Sequence, residues 1–437
     1  MKKLLIVLAL ICAARATSFS QDFQTGYFMK DYIYSYRLNP AFRPQKSFIG
    51  LPALSGISAR SNGNVGIDNF LFPLDNGKLG TFMHPEVPAS KFLGALSGRN
   101  KLSSGVTMNV LAFGFKTKGI YHTFDVSIRS LSGLSVPYEL FSFMKEGIDG
   151  RIEIPAIKLH TTAFAEIAYG FSARIGSLSA GIRLKGLVGA ANARMEVKNL
   201  SVESDGGRWT VSADGTLKGA AKGLAVPVKT GDDGEPVIDL EGIADEISDI
   251  DKPAGAGGAI DLGVSWKIQP KLELSASITD LGAIRWKNNI NGRTANATWT
   301  YDGDSDDVLD DLSSLLEFRP EDEAAETMML PVTARLGARY ELLSFLDAGL
   351  LLTHGFGAVP WNEARVSANA RLLGFLGLTG AAAAGTFGFS WGLAANFNLK
   401  VLSLFVGADS IPTRYTPQYI PLGKPNLAFT FGINITI

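Results

Sequence analysis

The chain ends with a strict alternation of apolar residues and small or polar ones. From Leu427 to Ile437, every second residue is apolar, and the residues between them are small or polar. A period of two puts the apolar side chains on one face of a β-strand. Such a strand at the carboxyl end is typical of an outer-membrane β-barrel. The pattern predicts that residues 426–437 form the last strand and pair with the first, near residues 48–59.

The same period recurs along the chain, and in each alternating segment the charges fall on one parity only. In a soluble sandwich the polar face would meet water, whereas in a membrane barrel it would line the lumen and the apolar face would meet lipid. On the membrane reading, the following charged residues are predicted to face the lumen: Glu166, Arg183, Lys185, Asp261, Glu273, Arg335, Arg339, Arg365 and Arg371.

These patterns predict an all-β fold, a single antiparallel transmembrane β-barrel of about 14 strands of roughly 9–11 residues each, with short helices in loops or in a plug. Alternation alone does not exclude a soluble exported β protein, which remains the alternative.

Residues 372–399 carry no charge and could by hydropathy form a spanning helix. Six glycines and an alternating second half favour two strands joined by a turn near Ala384, Gly385 and Thr386.

Three regions depart from the β pattern. Residues 136–147 predict a short amphipathic helix stopped by Gly147, and the acidic stretches 231–258 and 302–318 contain apolar residues at helical spacing.

The amino terminus has the organisation of a signal peptide. Lys2 and Lys3 precede a short apolar run, and a cleavage site of the small-x-small type follows at Ala14-Arg15-Ala16, with Ser18-Phe19-Ser20 as a competing one. We therefore expect a leader at 1–20, a plug or periplasmic segment at 21–47 and the barrel at 48–437. The single cysteine, Cys12, lies in the leader, so the exported chain is expected to have no disulfide.

Composition argues against several classes of function. A net charge of −1 lacks the basic footprint of a nucleic-acid-binding protein. The only G-x-S-x-G match, Gly388–Gly392, falls in an alternating stretch predicted to be a strand, not at the strand-to-helix turn of a nucleophile elbow. No two histidines have metal-site spacing, so we expect no enzymatic activity, no cofactor and no metal. Asp302, Asp304 and Asp306 resemble the opening of a calcium loop, but Asp307 and Ser313 replace its glycine and glutamate. A solvated helix start is the simpler interpretation, with loose divalent-ion binding as the alternative.

The tryptophans lie mostly at the ends of predicted strands, as do His122 and His160. Amphipathic aromatic rings at the two membrane interfaces would account for this placement.

Two short elements resemble a known family. The first is the stretch from Tyr34 to Pro44, which contains Asn39-Pro40-Ala41-Phe42, and the second runs from Pro137 to Gly147. Together they resemble a Bacteroidetes-type family of outer-membrane barrels of unknown function. The Asn-Pro-Ala element is also similar to one in long-chain fatty-acid transporter barrels and in barrels of type IX secretion. The resemblance implies fold and location, and it brings no catalytic residues.

The sequence therefore predicts a non-enzymatic barrel in the cell outer membrane, in contact with outer-membrane lipid. The leading hypothesis is binding or passive transport of a small ligand, with a hydrophobic one as the first candidate, and with Asn39, Pro40, Ala41 and Phe42 in a plug. Proline fixes the backbone of this stretch in an extended, turn-prone form that could enter the barrel mouth. The alternative is an envelope scaffold or a secretion-associated barrel that works with protein partners.

Overall fold

A computed structural model of the chain describes residues 23–205, 208–221, 226–231, 234–240, 242–243, 252–294, 298–301, 317–357, 359–410, 423–424 and 426–437. The expected leader with Cys12 lies outside these residues. So do the calcium-like stretch and nearly all of residues 302–318. The acidic stretch 231–258 is described in part, and strands begin there at Pro236 and at Gly255, which corrects the expectation of helix at those positions.

The described strands, numbered in chain order, are β1 Phe48–Gly50, β2 Ile57–Gly63, β3 Leu71–Pro73, β4 Leu79–Thr81, β5 Arg99–Thr117, β6 Ile120–Pro137, β7 Arg151–Ile154, β8 Ile157–Ile175, β9 Leu178–Asp205, β10 Arg208–Ala221, β11 Val228–Thr230, β12 Pro236–Ile238, β13 Gly255–Gln269, β14 Leu272–Asn288, β15 Ile290–Thr294, β16 Thr298–Tyr301, β17 Phe318–Pro320, β18 Ala324–Met329, β19 Thr333–Leu343, β20 Leu346–Gly355, β21 Trp361–Leu372, β22 Leu376–Gly385, β23 Gly388–Asn398, β24 Leu402–Asp409 and β25 Leu427–Thr436.

The described helices are short. Two are 3-10 turns, at Gln24–Tyr27 and Ile67–Asn69, and three are α-helices, α1 Ser35–Leu38, α2 Ala89–Leu93 and α3 Tyr138–Glu146. The predicted helix before Gly147 is confirmed as α3, and Gly147 ends it with a φ of 71°, a conformation that glycine adopts without strain. None of the described helices is long and apolar enough to cross a membrane.

The strands form a closed antiparallel transmembrane β-barrel of 14 strands, as the alternation predicted. Counting around the ring, β1 and β2 together make the first strand, β18 and β19 together make the eighth, and β25 is the last. The predicted closure is confirmed, because Phe48 pairs with Thr436 and Ala59 pairs with Phe429. Residues 372–399 form the hairpin of β22 and β23, as the glycines and alternation indicated.

The two ends of the barrel differ in their connections. At one end, which we name the short-turn end, two or three residues join β5 to β6, β8 to β9, β13 to β14, β19 to β20, β21 to β22 and β23 to β24. The longer connections lie at the opposite end, which we name the loop end and which also has one two-residue turn, between β22 and β23. In bacterial barrels the short turns face the periplasm.

The first strand is not continuous, which corrects the prediction of one strand near 48–59. The chain has residues 51–56 between Gly50 and Ile57, whereas the partner strand has only residues 432 and 433 between Asn434 and Phe431. The extra residues leave the ladder, and Ser55 and Gly56 approach the lumen. Such interruptions bend a strand without opening the ring.

Several strands are longer than the predicted 9–11 residues. β9 has 28 residues, because its first half belongs to the ring and its second half pairs with β10 beyond the loop end. β10 also pairs with β15 and β16, and β15 pairs with β17. Apolar side chains, including Leu217, Ile290 and Phe318, pack beneath this loop-end extension, so it has a small core of its own.

Charged and apolar residues take opposite faces of the wall. On β13, Asp261 is fully buried, whereas Leu262 and Val264 are more than 40% exposed. On β19, Arg335 is buried and its neighbour Leu336 is 61% exposed. The outer face is therefore apolar and the inner face polar, which suits a barrel surrounded by lipid.

Leu336→Arg is expected to impair membrane insertion much more than Arg335→Leu. An arginine on the lipid face near the bilayer middle costs roughly 2–4 kcal/mol. Removing Arg335 instead deletes inward hydrogen bonds to Gln24 and Thr279 and leaves the lipid face unchanged. Heat-modifiable migration of membrane fractions measures the folded share of each variant. Equal losses for the two variants would contradict the assignment of faces.

The tryptophans correct the expectation of an external ring. Trp266 and Trp391 do face outward, but Trp286 and Trp361 are almost fully buried. Trp361 lies under the guanidinium of Arg60, whose carbon is 5.5 Å from the ring centre. His122 does lie in an outward aromatic group, against Phe115 and Tyr169, whereas His160 lines an inner cavity.

Candidate functional site in the barrel lumen

Residues 23–44, which we name the N-terminal segment, run inside the ring of strands. The segment contains the 3-10 turn Gln24–Tyr27 and helix α1, and most of its side chains are buried. It contacts β6, β14, β24 and β25, which lie on different sides of the barrel. Only a chain within the lumen can reach all of these walls at once.

Toward the loop end, the segment begins at a carboxylate of β24. The amide nitrogens of Gln24 and Thr25 donate to Asp409 Oδ2 and Oδ1 at 2.7 and 3.0 Å. Arg365 Nη1 lies 3.0 Å from the same carboxylate, and Arg335 Nε donates to Gln24 Oε1 at 3.1 Å. Two wall arginines and one wall aspartate therefore fix the start of the segment.

In the middle of the lumen, Arg37 joins the segment to β6. Its Nη2 lies 2.5 Å from Asp125 Oδ1, and its Nη1 donates to Asn109 on β5. Nearby, Tyr34 donates to Asn434 Oδ1 on β25 at 2.8 Å, and burial raises the pKa of Tyr34 to about 12, which keeps its hydroxyl a neutral donor. The helical turn α1 places Tyr34 and Arg37 on one side, close enough for a cation–π contact at 5.0 Å.

Asn39 fixes the second half of the segment to β13 and β14. Its Nδ2 donates to the carbonyls of Val264 and Ala276 at 3.2 and 3.3 Å, and its Oδ1 accepts from the amide of Ala41. Ser277 also donates to the carbonyl of Leu38. A fully buried amide that satisfies both its donor and its acceptor in this way holds a turn in one conformation.

The predicted plug residues Asn39, Pro40, Ala41 and Phe42 therefore lie together in the lumen. Asn39 and Ala41 are fully buried, and the ring of Phe42 packs edge-on against Tyr27, with 5.0 Å between ring centres. The carbonyl of Pro40 approaches Gly181 of β9.

Near the short-turn end, charges on the segment meet opposite charges on the wall. Lys30 Nζ lies 3.3 Å from Asp347, and Asp31 lies 2.8 Å from Arg371 Nη2. Asn396 on β23 donates to the carbonyl of Lys30. The segment is thus held at the loop end, in the middle and at the short-turn end.

The wall next to Arg37 carries a buried ionic cluster. Arg183 bridges Asp125 and Asp261 at 3.0 and 2.7 Å, and Lys185 bridges Asp261 and Asp280 at 2.8 and 2.6 Å. Arg129 completes the cluster between Asp280 and Glu166. The wall supplies three cations (Arg129, Arg183, Lys185) and four carboxylates (Asp125, Glu166, Asp261, Asp280). Arg37 of the segment therefore balances the charge of the cluster, as a buried set of ions requires.

The structure brings four of the nine predicted lumen residues into this cluster: Glu166, Arg183, Lys185 and Asp261. Glu273 and Arg339 pair with each other closer to the short-turn end. The other three have different partners. Arg335 binds Gln24, Arg365 binds Asp409 and Glu363, and Arg371 binds Asp31.

Sequence reasoning did not single out Arg37, Asp125, Arg129, Asp280 or Asp409. Asp125 and Arg129 share one parity on β6, so a signal for them was present. Asp280 breaks the parity of β14, because residues 279 and 280 both oppose Asp261 and Asp280 has a φ of 63°. This bulge turns an additional carboxylate inward, and no periodic pattern predicts it.

Wall glycines make room for the segment. A Cβ added to any of six inward glycines would lie within 3.0 Å of a segment atom: Gly181, Gly263, Gly337, Gly349, Gly392 and Gly407. At Gly181 the nearest atom is the carbonyl oxygen of Pro40, and at Gly263 it is Asn39 Oδ1. The inner wall therefore fits this segment closely on several sides.

Gly181→Val is expected to displace the N-terminal segment while the barrel remains folded. The added Cβ would lie 2.0 Å from the Pro40 carbonyl oxygen, so the segment must move. Gly186→Val on the same strand faces outward, where a Cβ meets nothing closer than 3.9 Å, and serves as the control. Chymotrypsin should cleave the aromatic-rich segment quickly in the first variant and slowly in the second. Similar protection of both would contradict the close fit.

A cavity of about 80 Å³ lies on the loop-end side of the N-terminal segment. Its lining includes Ser103, Arg129, His160, Arg335 and Trp361. His160 Nε2 is buried, and no partner within the described residues hydrogen-bonds it. This volume holds a few water molecules, so a drug-sized ligand does not fit unless the segment or the loops move.

Several solved barrels are similar in outline. The Ralstonia pickettii toluene transporter TbuX has a TM-score of 0.46 and 6% identity, over 94% of this chain and 97% of that one. A Pseudomonas aeruginosa FadL homologue has a TM-score of 0.43 and 11% identity, over 96% and 98%. The Pseudomonas putida toluene transporter TodX has a TM-score of 0.41 and 8% identity, over 96% and 95%.

No curated protein matches the chain. A family model does match, over residues 40–409, which is most of the sequence. That span runs from Pro40 of the N-terminal segment to Asp409, the wall carboxylate that binds the segment's first amides. The chain belongs to DUF5723, a family of unknown function.

Proposed function

We propose that this chain is an outer-membrane barrel that binds or passively admits a small ligand, and that residues 23–44 act as a plug that closes the lumen at rest. The single observation that carries the proposal is the fit between the segment and the wall. Wall glycines leave space for the segment, and ion pairs and hydrogen bonds hold it at three levels. If the segment were only a connection to the first strand, the wall would not need glycines at the positions that contact it.

The outer face of the barrel supports a location in the outer membrane. Exposed Leu184, Leu262, Leu336 and Val366 alternate with buried polar residues, so the partner of this face is lipid. A closed ring also satisfies the backbone groups of the strands in hydrocarbon, where no water is available.

The ligand suggested first is small and hydrophobic. Phe23, Tyr32 and Tyr34 of the segment and Phe405 of β24 form one side of a cavity of about 30 Å³ beside the interruption of the first strand, and polar side chains, including Arg37 and Asn109, line the rest. This volume admits about one water molecule, so the cavity must widen before a ligand can bind in it. Movement of the plug away from β24 would open space between the aromatic rings of the segment and Phe405, and aromatic surfaces of this kind bind apolar molecules.

A fluorescent apolar probe such as N-phenylnaphthylamine tests this proposal on the purified barrel. Binding should saturate, and Phe405→Ala should weaken it, because Phe405 is buried in the lumen. Phe429→Ala, on the outward face, is the matched control and should leave binding unchanged. Absence of saturable binding, or equal loss in both variants, would remove the hydrophobic-ligand proposal.

An envelope scaffold or secretion-associated barrel is the second candidate. The observation that favours it is the loop-end extension of β9, β10 and β15–β17, which has its own apolar cluster and reaches beyond the ring. Such a sheet offers a surface to a protein partner. Stable co-purification of an envelope protein, combined with no ligand binding and no conductance in any plug variant, would favour this candidate.

A further inference from the structure

The mouth of the lumen at the short-turn end holds a concave bowl of about 420 Å³. It lies between the N-terminal segment and the turns of the wall. Six cationic side chains line it, and we name them the basic bowl: Lys30, Arg43, Arg174, Lys267, Arg339 and Arg371. Only two carboxylates, Asp31 and Glu273, share this lining. The chain as a whole has a net charge of −1, so the bowl is a local concentration of positive charge.

Three of the six cations are neutralised within the protein. Lys30 pairs with Asp347 at 3.3 Å, Arg371 pairs with Asp31 at 2.8 Å, and Arg339 pairs with Glu273. Asp347 lies just behind the bowl and also approaches Arg339 at 3.8 Å. These pairs account for both carboxylates of the lining, and one further carboxylate, Glu341, lines the adjoining hollow with Lys267.

The other three cations lack such partners. Within the described ranges, no carboxylate lies within 4.0 Å of Arg43, Arg174 or Lys267. Arg43 Nη1 donates to the carbonyl of Gly119 at 3.2 Å, and Arg174 Nε donates to the carbonyl of Gly176 at 3.1 Å. These bonds hold the guanidinium groups at the mouth but do not neutralise them.

Like charges in the bowl act on one another. The pKa of Arg43 is lowered, first by burial and then by the positive charge of Arg174. A bound anion would relieve this repulsion, and the concave shape would strengthen its attraction. Serine side chains at the same site, Ser177, Ser179 and Ser344, add hydroxyl donors. Guanidinium, ammonium and hydroxyl donors together suit the oxygens of phosphate or carboxylate groups.

We propose that the basic bowl is a binding site for a small soluble anion that carries at least two negative charges on phosphate or carboxylate groups. The cavity has the volume of a small-molecule site. It faces the aqueous mouth inside the ring, and the wall separates it from the surrounding lipid. A soluble anion is therefore favoured over a phospholipid headgroup. The site does not depend on whether the plug ever opens.

Isothermal titration of the full barrel in a neutral detergent, with inorganic pyrophosphate as the probe, tests the site. Wild-type protein should bind saturably, and added salt should weaken the binding, because screening acts on exposed charges. The double variant Arg174→Gln, Lys267→Gln should weaken binding by at least about tenfold, since it removes two charged hydrogen-bond donors. Heat-modifiable migration would verify that this variant is folded.

The matched control is Lys198→Gln, Arg293→Gln, which removes the same two residue types from exposed positions in the loop-end extension. It should bind pyrophosphate like the wild type. No saturable binding, or equal affinity in both double variants, would overturn the proposal. Nanodiscs of phosphatidylglycerol and of phosphatidylcholine separate the two sources of phosphate. If the bowl residues govern binding only of phosphatidylglycerol, the soluble-anion proposal is wrong.

Discussion

A chain that lacks residues 432–437 is expected not to assemble into a barrel. These residues pair with β1 on one side and with the start of β24 on the other, as in Phe48 with Thr436 and Leu404 with Ile433. Their loss opens the ring at the short-turn end, where β1 and the start of β24 lose their partner, while residues 427–431 keep their pairs with β2 and β24. Each unpaired backbone group in hydrocarbon costs several kcal/mol, so the sum exceeds the stability of an ordinary domain.

Heat-modifiable migration and resistance to extraction from the membrane measure this effect. Removing Ile437 alone is the control, because it deletes one hydrogen bond, from the Ile437 amide to the Ser47 carbonyl at 2.9 Å, and keeps the paired residues. The control should assemble. A truncated chain that still migrates as a folded barrel in the membrane would show that closure does not depend on residues 432–437.

Arg37→Ala is expected to loosen the N-terminal segment. The substitution removes the ion pair with Asp125 and leaves the buried wall cluster with one excess negative charge. Breaking a buried ion pair costs up to about 3–5 kcal/mol, although Arg183 remains beside Asp125 and reduces the loss. Chymotrypsin should then cleave the segment faster by about tenfold or more, if cleavage follows the opened fraction.

Two further variants make this test specific. Arg43→Ala removes an arginine of the same segment that bonds only a backbone carbonyl, so it should change the cleavage rate little. Adding Asp125→Asn to Arg37→Ala restores the balance of three cations and three carboxylates, and protection should partly return. If the double variant is cleaved faster than Arg37→Ala, charge balance does not hold the segment.

The sequence alone predicted the wall of the barrel, because the wall residues alternate between the inner and the outer face with a period of two. Alternation placed the charges of Asp261 and Arg335 opposite the apolar Leu262 and Leu336, and the last strand's pattern predicted closure. Local chemistry also placed helix α3, because Gly147 ends it. Each of these features depends on residues that are near in sequence, where the pattern is readable.

The interior was harder to predict because its contacts join distant residues. Arg37 and Asp125 are 88 positions apart, and the Asp409 bond to Thr25 spans 384. No periodic signal connects such pairs. The interruption after Gly50 and the bulge at Asp280 also change which side chains face inward, and both depend on backbone conformations that alternation does not encode.

Electrical conductance in planar bilayers tests the central proposal most directly, namely that residues 23–44 close the lumen. The intact barrel should show low conductance, because the segment and its paired charges fill the lumen. A barrel without residues 21–44 should show larger, stable openings, with Gly181→Val in between and Gly186→Val like the intact protein. A large, constant pore in the intact protein, or no change when the segment is deleted, would contradict the proposal.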